Sequence, residues 1–362
     1  MAKYNFVGPN VEYLPDRIVS DYLYATTEII TEKSPDGSNK KYFIKPIYHR
    51  LQIETARDIP KLGVMLVGLG GNNGSSFAAV LMANKLNLSW KTKQGVKFSN
   101  YLGSIVKSST VVLGVSTDGS KKERVCAPVQ ELLPFIDPNN IEIDGWDINK
   151  ADLGECMSRA QVIDINLQEL LYPAMKSIVP RPSVYDPDYI SSSQMERGDN
   201  VIEGTLEQQL NRVREDIRDF KKKKNLDKVI VMWTASTEKN VDLNAYAHND
   251  VEILFKAINN NQRYLVSPSN IFAIASILEG CAFINGAPQN TIVNAIKKLA
   301  KRHNILLAGN DFKTGQTKVK SALVEYLIGS GFKPVSIVSY NHLGNNDGKN
   351  LHSPEQFLSK EV

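Results

Sequence analysis

An apolar run from Leu62 to Val67 ends in the turn Gly68-Leu69-Gly70-Gly71-Asn72-Asn73-Gly74, and a helix-like segment follows from Ser75 to Leu86. Glycines 68, 70, 71 and 74 match the G-x-G-x-x-G pattern with one extra glycine. Missing side chains let the backbone turn tightly and bring N–H groups against a pyrophosphate, and the helix N-terminus adds a favourable dipole. A strand before and a helix after are the context such a motif requires. No Gly-Lys-Ser/Thr follows, which disfavours a nucleoside-triphosphate loop. A glycine turn that serves only strand–helix packing is the competing reading.

A dinucleotide fold places an acidic residue about 20 positions further on, to hold the ribose hydroxyls. Here no Asp or Glu occurs between Gly68 and Asp118, and Lys85, Lys91, Lys93, Lys97 and Lys107 occupy the stretch instead. Either the cofactor is phosphorylated or the acid arrives late, after an insertion. Gly145-Trp146-Asp147-Ile148-Asn149, just after Ile141 and Ile143, is a source of a late acid.

At 362 residues the chain exceeds one comfortable core, which predicts two domains. A net charge of +4 is mild for this length and implies no nucleic-acid partner. The lysine cluster Lys221 to Lys224 closes a helix instead. Thr205 with Gln208 makes a capping box, and Leu206, Leu210, Val213, Ile217 and Phe220 form one apolar stripe. Lysines at such a C-terminus complement the helix dipole.

Cys126, Cys156 and Cys281 show neither C-x-x-C nor metal spacing, and the five histidines never pair as H-E-x-x-H. The expectation is a reducing compartment and no metal ligand set. Met1 to Asp16 has no apolar core of a signal peptide, and no run approaches the ~18 apolar residues of a membrane span. A cytoplasmic protein with no membrane partner is expected.

Residues 1–60 hold strand-like pieces, Asp21 to Ile30 and Lys41 to Ile47, split by the turn Ser34-Pro35-Asp36-Gly37. They look like a sheet edge or lead-in. From Leu62 strands alternate with helices, as doubly wound sheets require. Thr110 to Val115, Val229 to Trp233, Cys281 to Ile284 and Ile305 to Ala308 are short β-rich runs. Helices are predicted over 205–223, 249–258, 269–279 and 291–302, lengths that suit right-handed crossovers onto a parallel sheet. Two long interruptions, Ser89 to Ser109 and 176–204, read as functional lids or disordered loops. After Thr317 a new unit begins, with a helix near 318–329 and a strand from Pro334 to Tyr340.

Strand ends in such a sheet deliver side chains to the cofactor crevice. Polar clusters stand at three of them: Thr234 to Glu238, Asn285 to Asn290, and Gly309 to Thr317, where Thr314 to Thr317 resemble an anion cradle. Ser339 to Asn350 is denser still, with Tyr340, Asn341, His342, Asn345, Asn346, Asp347 and Asn350 around two glycines. It reads either as a surface turn or as a segment that a buried strand hands to an interior site.

The blocks GLGGNNGS, NYLGS, GWDIN, DKVIVMWTASTE, ILEGCAFINGAPQNT, DFKTGQTKVKS and SIVSYNHLGNNDGKNL resemble the eukaryotic myo-inositol-1-phosphate synthase family. The likeness runs the length of the chain. It implies an α/β fold: a Rossmann-like doubly wound parallel-sheet domain over 61–317, with residues 1–60 in a central core region. Residues 318–362 would begin a second, α+β catalytic and tetramerisation domain.

The resemblance implies an isomerisation of D-glucose 6-phosphate to 1D-myo-inositol 3-phosphate with no net redox change. NAD would take a hydride from C5, the acidified C6 would form an enolate, that carbon would attack the C1 aldehyde, and the hydride would return to C5. Charge develops on oxygen at each step, which calls for fixed cationic partners.

Carried over by motif, Gly70, Gly71, Asn72, Asn73 and Gly74 would face the pyrophosphate, and Asp147 the adenosine ribose. Ser183, Val184, Gln194 and Arg197 would lie near the adenosine half. Thr234, Ala235, Ser236, Thr237, Gly286, Ala287 and Asp311 would line the nicotinamide side. Thr314, Gly315, Gln316, Thr317, Leu343, Asn345 and Asn346 would hold the sugar phosphate. Asp347 and Lys360 would sit at the reacting carbons, with Asp311 beside them.

The chain departs from the family pattern at Ser236, Ala287, Asn310, Thr314 and Ser191 to Ser193. Family members continue for well over a hundred residues with further catalytic lysines and assemble as tetramers. This chain is therefore expected either to be a fragment or to be truly short, to hold one active-site lysine, and to assemble doubtfully. The competing readings are a simple NAD dehydrogenase and a cofactor-binding remnant without turnover.

Overall fold

The computed structural model describes residues 4, 6–33, 40–116, 122–313, 315–338 and 347–361, and of 316, 317, 347, 351 and 361 the backbone alone. The chain divides into two compact units, one of Met1–Pro60 with Asn100–Asp137 and one of Lys61–Ser99 with Pro138–Val362.

The first unit is antiparallel. Arg17–Lys33 pairs along its whole length with Lys40–Ala56, and Val11–Tyr13 adds a short third strand. The expected sheet edge is thus a separate sheet. Turn residues 34–37 lie outside the described residues. Thr110–Ser116 also belongs here, paired antiparallel with Glu123–Pro128. Its β-rich composition predicted a strand, but the grouping with the parallel sheet is overturned, because its ladder partner follows it in the same unit.

The second unit carries the parallel sheet, six strands among the described residues. In chain order these are β1 (Leu62–Val67), β2 (Glu142–Asp147), β3 (Arg181–Pro182), β4 (Lys228–Trp233), β5 (Ala282–Asn285) and β6 (Leu307–Ala308). Their spatial order is 3-2-1-4-5-6, all pairs parallel. Strand order reverses between β1 and β4, where a dinucleotide crevice opens beyond the strand ends.

Alternation along β1 builds both layers. Val64 and Leu66 face α1 (Asn72–Lys85), α2 (Leu153–Ala160) and α3 (Ile165–Lys176). Met65 and Val67 face a larger core with α4 (Leu206–Lys223), α5 (Val251–Asn259), α6 (Pro268–Leu278) and α7 (Asn294–His303). Period-two side chains require this of a strand covered on both sides. In α4 the Thr205–Gln208 capping box forms as expected, and its five stripe residues are all buried.

Arg181 fastens the edge strand β3. Its guanidinium reaches Asp144 on β2 at 2.8 Å, and Asp216 and Asp219 on α4 at 3.1 and 2.7 Å. Burial works against its charge, and the three carboxylates more than offset it, so its pKa is raised. Residues 176–204, expected as a lid or disordered, are thereby a folded wall, with Ser183, Val184, Tyr189, Ser191 and Gln194 buried.

Beyond β6 lie α8 (Gln316–Gly329), α9 (Asp347–Leu351) and α10 (Pro354–Glu361). The strand expected from Pro334 does not form over 334–338. No strand pairs with it among the described residues, and Val335, Ile337 and Val338 are exposed. Ser339 and Tyr340 lie outside the described residues. No helix of the described residues is long and apolar enough to cross a membrane.

Candidate functional site

A cleft of about 300 Å³ opens at the carboxyl ends of β1, β2, β4 and β5. The glycine turn forms its floor. Gly68 adopts φ +84°, and a Cβ there would stand 2.6 Å from the Ala235 Cα, so only glycine lets the β1 and β4 loops close on each other. Gly71 caps α1 without any side-chain hydrogen bond, and no acidic residue occupies the first helical turn. Its free N–H groups are donors for an anion.

Asp147, at the end of β2, closes one side. Its Oδ2 accepts the Gly70 N–H at 2.8 Å and its Oδ1 the Asn149 N–H at 3.0 Å. Burial pushes its carboxyl above the ordinary value, against those two N–H groups and the positive charges of Arg197 and Arg159. Arg159 donates to the Gly70 carbonyl at 3.2 Å, so both ends of that glycine are held. Burial and the nearby Arg159 push Arg197 below the ordinary guanidinium value, and its Nε has no hydrogen-bond partner among the described residues.

The opposite wall comes from the loops after β4 and β5. Thr234 Oγ1 donates to the Val67 carbonyl at 2.9 Å, and Asp311 and Phe312 donate their N–H groups to Ala287 and Gly286, each at 3.1 Å. Behind them Glu238 is fully buried, and its carboxyl oxygens accept the Ser269 N–H at 3.2 and 3.3 Å. Burial pushes this carboxyl up to about 7, against hydrogen bonds from Ser269 and Ser267, and Asp186 adds to the rise.

The roof is the segment 347–361. Ser353 Oγ meets Ser191 Oγ at 2.6 Å, Gln356 Nε2 donates to the Tyr189 carbonyl at 2.9 Å, and the Asn240 N–H donates to Ser359 Oγ at 2.9 Å. Ser191 is one of the positions that depart from the family pattern, and its hydroxyl helps seat α10. This docking brings Lys360 to the cleft.

The structure therefore gathers Gly71, Asn72, Asn73, Asp147, Ser183, Val184, Gln194, Arg197, Thr234, Ala235, Ser236, Thr237, Gly286, Ala287, Asp311 and Lys360 around one cavity. Gly70 and Gly74 are not among the residues that line the cleft. The Gly70 N–H is turned to Asp147, and a Cβ on Gly74 would meet the Leu69 and Gly68 carbonyls at 2.5 and 2.6 Å. Gly315 precedes α8 and is not among the residues that line the cleft. Thr314, Leu343, Asn345 and Asn346 lie outside the described residues, as do the side chains of Gln316, Thr317 and Asp347. Ile148, Ile190, Pro288 and Phe312 line the cleft without having been singled out as site residues, and Asn350, named only as part of the polar segment 339–350, lines it too. Asn350 stands three residues after Asp347 on one short helix. No group of three or more His, Cys, Asp or Glu among the described residues could hold a metal ion.

A family model described as myo-inositol-1-phosphate synthase, an NAD-binding domain, matches residues 62–354. The chain belongs to the myo-inositol-1-phosphate synthase family. It is 51% identical to Xenopus laevis inositol-3-phosphate synthase 1-B over 355 residues, 98% of this chain and 61% of that one. It is 49% identical to Homo sapiens inositol-3-phosphate synthase 1 over 361 residues, covering 63% of that protein. The crystal structure of inositol-3-phosphate synthase from Caenorhabditis elegans superimposes with a TM-score of 0.89 at 44% identity, over 98% of this chain and 68% of that one. The chain thus spans about three fifths of the length of these Xenopus and human relatives. NAD, the cofactor of this family's domain, suits the cleft: the uncapped N–H groups at the start of α1 are donors for an anion, and the Asp147 carboxylate stands beside them.

Proposed function

We propose that this chain serves the conversion of D-glucose 6-phosphate to 1D-myo-inositol 3-phosphate, with NAD held throughout and no net oxidation. The observation that carries the reading is that Lys360 and Asp311 line the same cleft as the glycine turn and Asp147. NAD supplies a reversible hydride acceptor. Gly70, Gly71, Asn72, Asn73 and Gly74 would face its pyrophosphate, Asp147 the adenosine ribose, and Ser183, Val184, Gln194 and Arg197 the adenosine half. Thr234 to Thr237, Gly286 and Ala287 would wall in the nicotinamide and exclude water.

The Lys360 ammonium would stabilise negative charge as it develops on a substrate oxygen, where a fixed cation is most effective. Asp311 and Asp347 would stand at the reacting carbons. Thr314, Gly315, Gln316, Thr317, Leu343, Asn345 and Asn346 are assigned to the sugar phosphate. The same reading makes residues 318–362 the start of the catalytic part and places the protein in the cytoplasm.

A second reading, NAD binding without turnover, is favoured by one observation: Lys360 is the sole lysine lining the cleft among the described residues. Incubating the chain with glucose 6-phosphate and NAD, then assaying inositol phosphate and NADH, separates the cases. Inositol phosphate without NADH supports the isomerase. Accumulating NADH marks a dehydrogenase, and silence with retained NAD binding marks the second reading.

A further inference from the structure

Asn285 ends β5 and is 1% exposed. It is not among the residues that line the cleft, whereas Gly286, Ala287, Asp311 and Phe312 are. Its Oδ1 accepts the Ala287 N–H at 3.2 Å, and its Nδ2 donates to the Gln289 carbonyl at 2.9 Å. A backbone N–H can only donate and a carbonyl only accept, so these two partners fix which way round the amide lies. The same Nδ2 donates to Asn310 Oδ1 at 2.7 Å, on the loop that leaves β6. One buried side chain thus joins two loops that both reach the cleft.

The joined segment is held in an unusual shape. Asp311 stands at φ +63°, a left-handed conformation that residues other than glycine keep only where their surroundings impose it. Asn310, just before it, is held by the Asn285 amide, and the Asp311 and Phe312 N–H groups donate to the Ala287 and Gly286 carbonyls. Gln289 extends the chain of bonds to the loop leaving β4, where its Oε1 accepts the Glu238 N–H at 3.3 Å. Asp147, at the end of β2, marks the adenosine half of the doubly wound sheet. The loops after β4, β5 and β6 therefore belong to the half that meets the nicotinamide.

We propose that Asn285 is a positioning residue for the nicotinamide half of the cofactor: by latching Asn310 it holds Ala287 and Asp311 where they flank the ring. This deepens the reading of the cleft as an NAD site and rests on it. A wall fixed before the cofactor arrives spares the binding step the cost of ordering it.

The test compares NAD with ADP-ribose, the same molecule without its nicotinamide ring. Dissociation constants of both are measured by isothermal titration for the 362-residue chain and for three variants. Asn285→Ala removes the latch from within. Asn310→Leu removes it at an exposed position and serves if Asn285→Ala does not fold. Asn310→Asp keeps an acceptor in the same place. Asn285→Ala and Asn310→Leu should weaken NAD by about fivefold or more, as the loss of one hydrogen bond implies, and leave ADP-ribose within about twofold. Asn310→Asp should bind NAD as the unaltered chain does.

Equal weakening of both ligands would leave Asn285 only a brace for the sheet and would overturn the proposal. A loss in Asn285→Ala that Asn310→Leu does not share overturns it too, since the bond between the loops would then be idle. So does a loss in Asn310→Asp as large as in Asn310→Leu. An unaltered chain that binds ADP-ribose as tightly as NAD overturns the proposal and keeps the dinucleotide reading, because the ring then meets no wall. Failure to bind either ligand removes that reading and the proposal with it. NAD binding without inositol phosphate formation counts against the isomerase alone, since the comparison reads binding and not turnover.

Discussion

Asp147 Oδ2 accepts the Gly70 N–H at 2.8 Å across 77 residues of sequence. The usual spacing between glycine turn and acid is about 20 residues. Most of the excess is the excursion of Asn100–Asp137 into the other compact unit, and the hairpin Ser89–Thr92 with Gly95–Phe98 precedes it before the chain returns as β2. The acid arrives at the place the fold requires, late in sequence and beside the turn in space.

Removing that carboxylate leaves the Gly70 and Asn149 N–H groups without their acceptor and Arg197 without its nearest negative charge. Asp147→Ala is expected to weaken NAD binding at least tenfold, about 1.4 kcal/mol or more. Isothermal titration measures it, and an unchanged affinity would remove Asp147 from the site.

Glu238 gives the fold a pH dependence near neutrality. Its carboxyl is raised from 4.5 to about 7 by burial, so the folded state favours the protonated form. Its stabilising contribution is full below pH ~4.5 and is lost as pH rises through about 7, by roughly 3 kcal/mol at most. Urea denaturation of the unaltered chain should show stability falling between pH 5.5 and 8. In Glu238→Gln that fall should flatten; an identical slope in the variant would place the titration elsewhere.

At Gly68 two constraints coincide. Its left-handed φ of +84° and the 2.6 Å approach of the Ala235 Cα both exclude a side chain. Gly68→Ala is expected to cost more than about 2 kcal/mol, since the left-handed conformation alone costs roughly 1–2 kcal/mol. Thermal unfolding should show a clear downward shift together with weaker NAD binding. An unshifted transition would mean that the two loops can separate freely.

Arg181→Met would leave Asp144, Asp216 and Asp219 clustered without their cation. Breaking a fully buried ion pair from one side costs about 3–5 kcal/mol; Arg181 and Asp144 are half-buried and Asp219 more exposed, so a loss of about 1–3 kcal/mol is expected in chemical denaturation. A loss under about 1 kcal/mol would show β3 to be held by packing alone.

Much of the second unit was legible. The capping box at Thr205, the stripe from Leu206 to Phe220 and the run into the glycine turn depend on residues within a turn or two of one another. Their signals survive reading along the chain. Of the two readings of the interruption 176–204, disorder does not hold, because its order comes from Arg181 meeting Asp144 and α4, contacts without local periodicity. The strand expected at Pro334 failed for the opposite reason: β-rich composition forms no ladder where no strand pairs with it.

The sequence by itself determined the glycine turn, the apolar run of β1, the capped helix α4 and the polar residues at the strand ends, because each rests on short-range geometry. Only the tertiary structure decided which of these meet. Asp147 reaches Gly70 after a detour through another unit, and Asn350 and Lys360 reach the cleft because Ser353, Gln356 and Ser359 seat their segment on the far wall. Such meetings depend on packing between distant segments, and linear spacing carries no record of them.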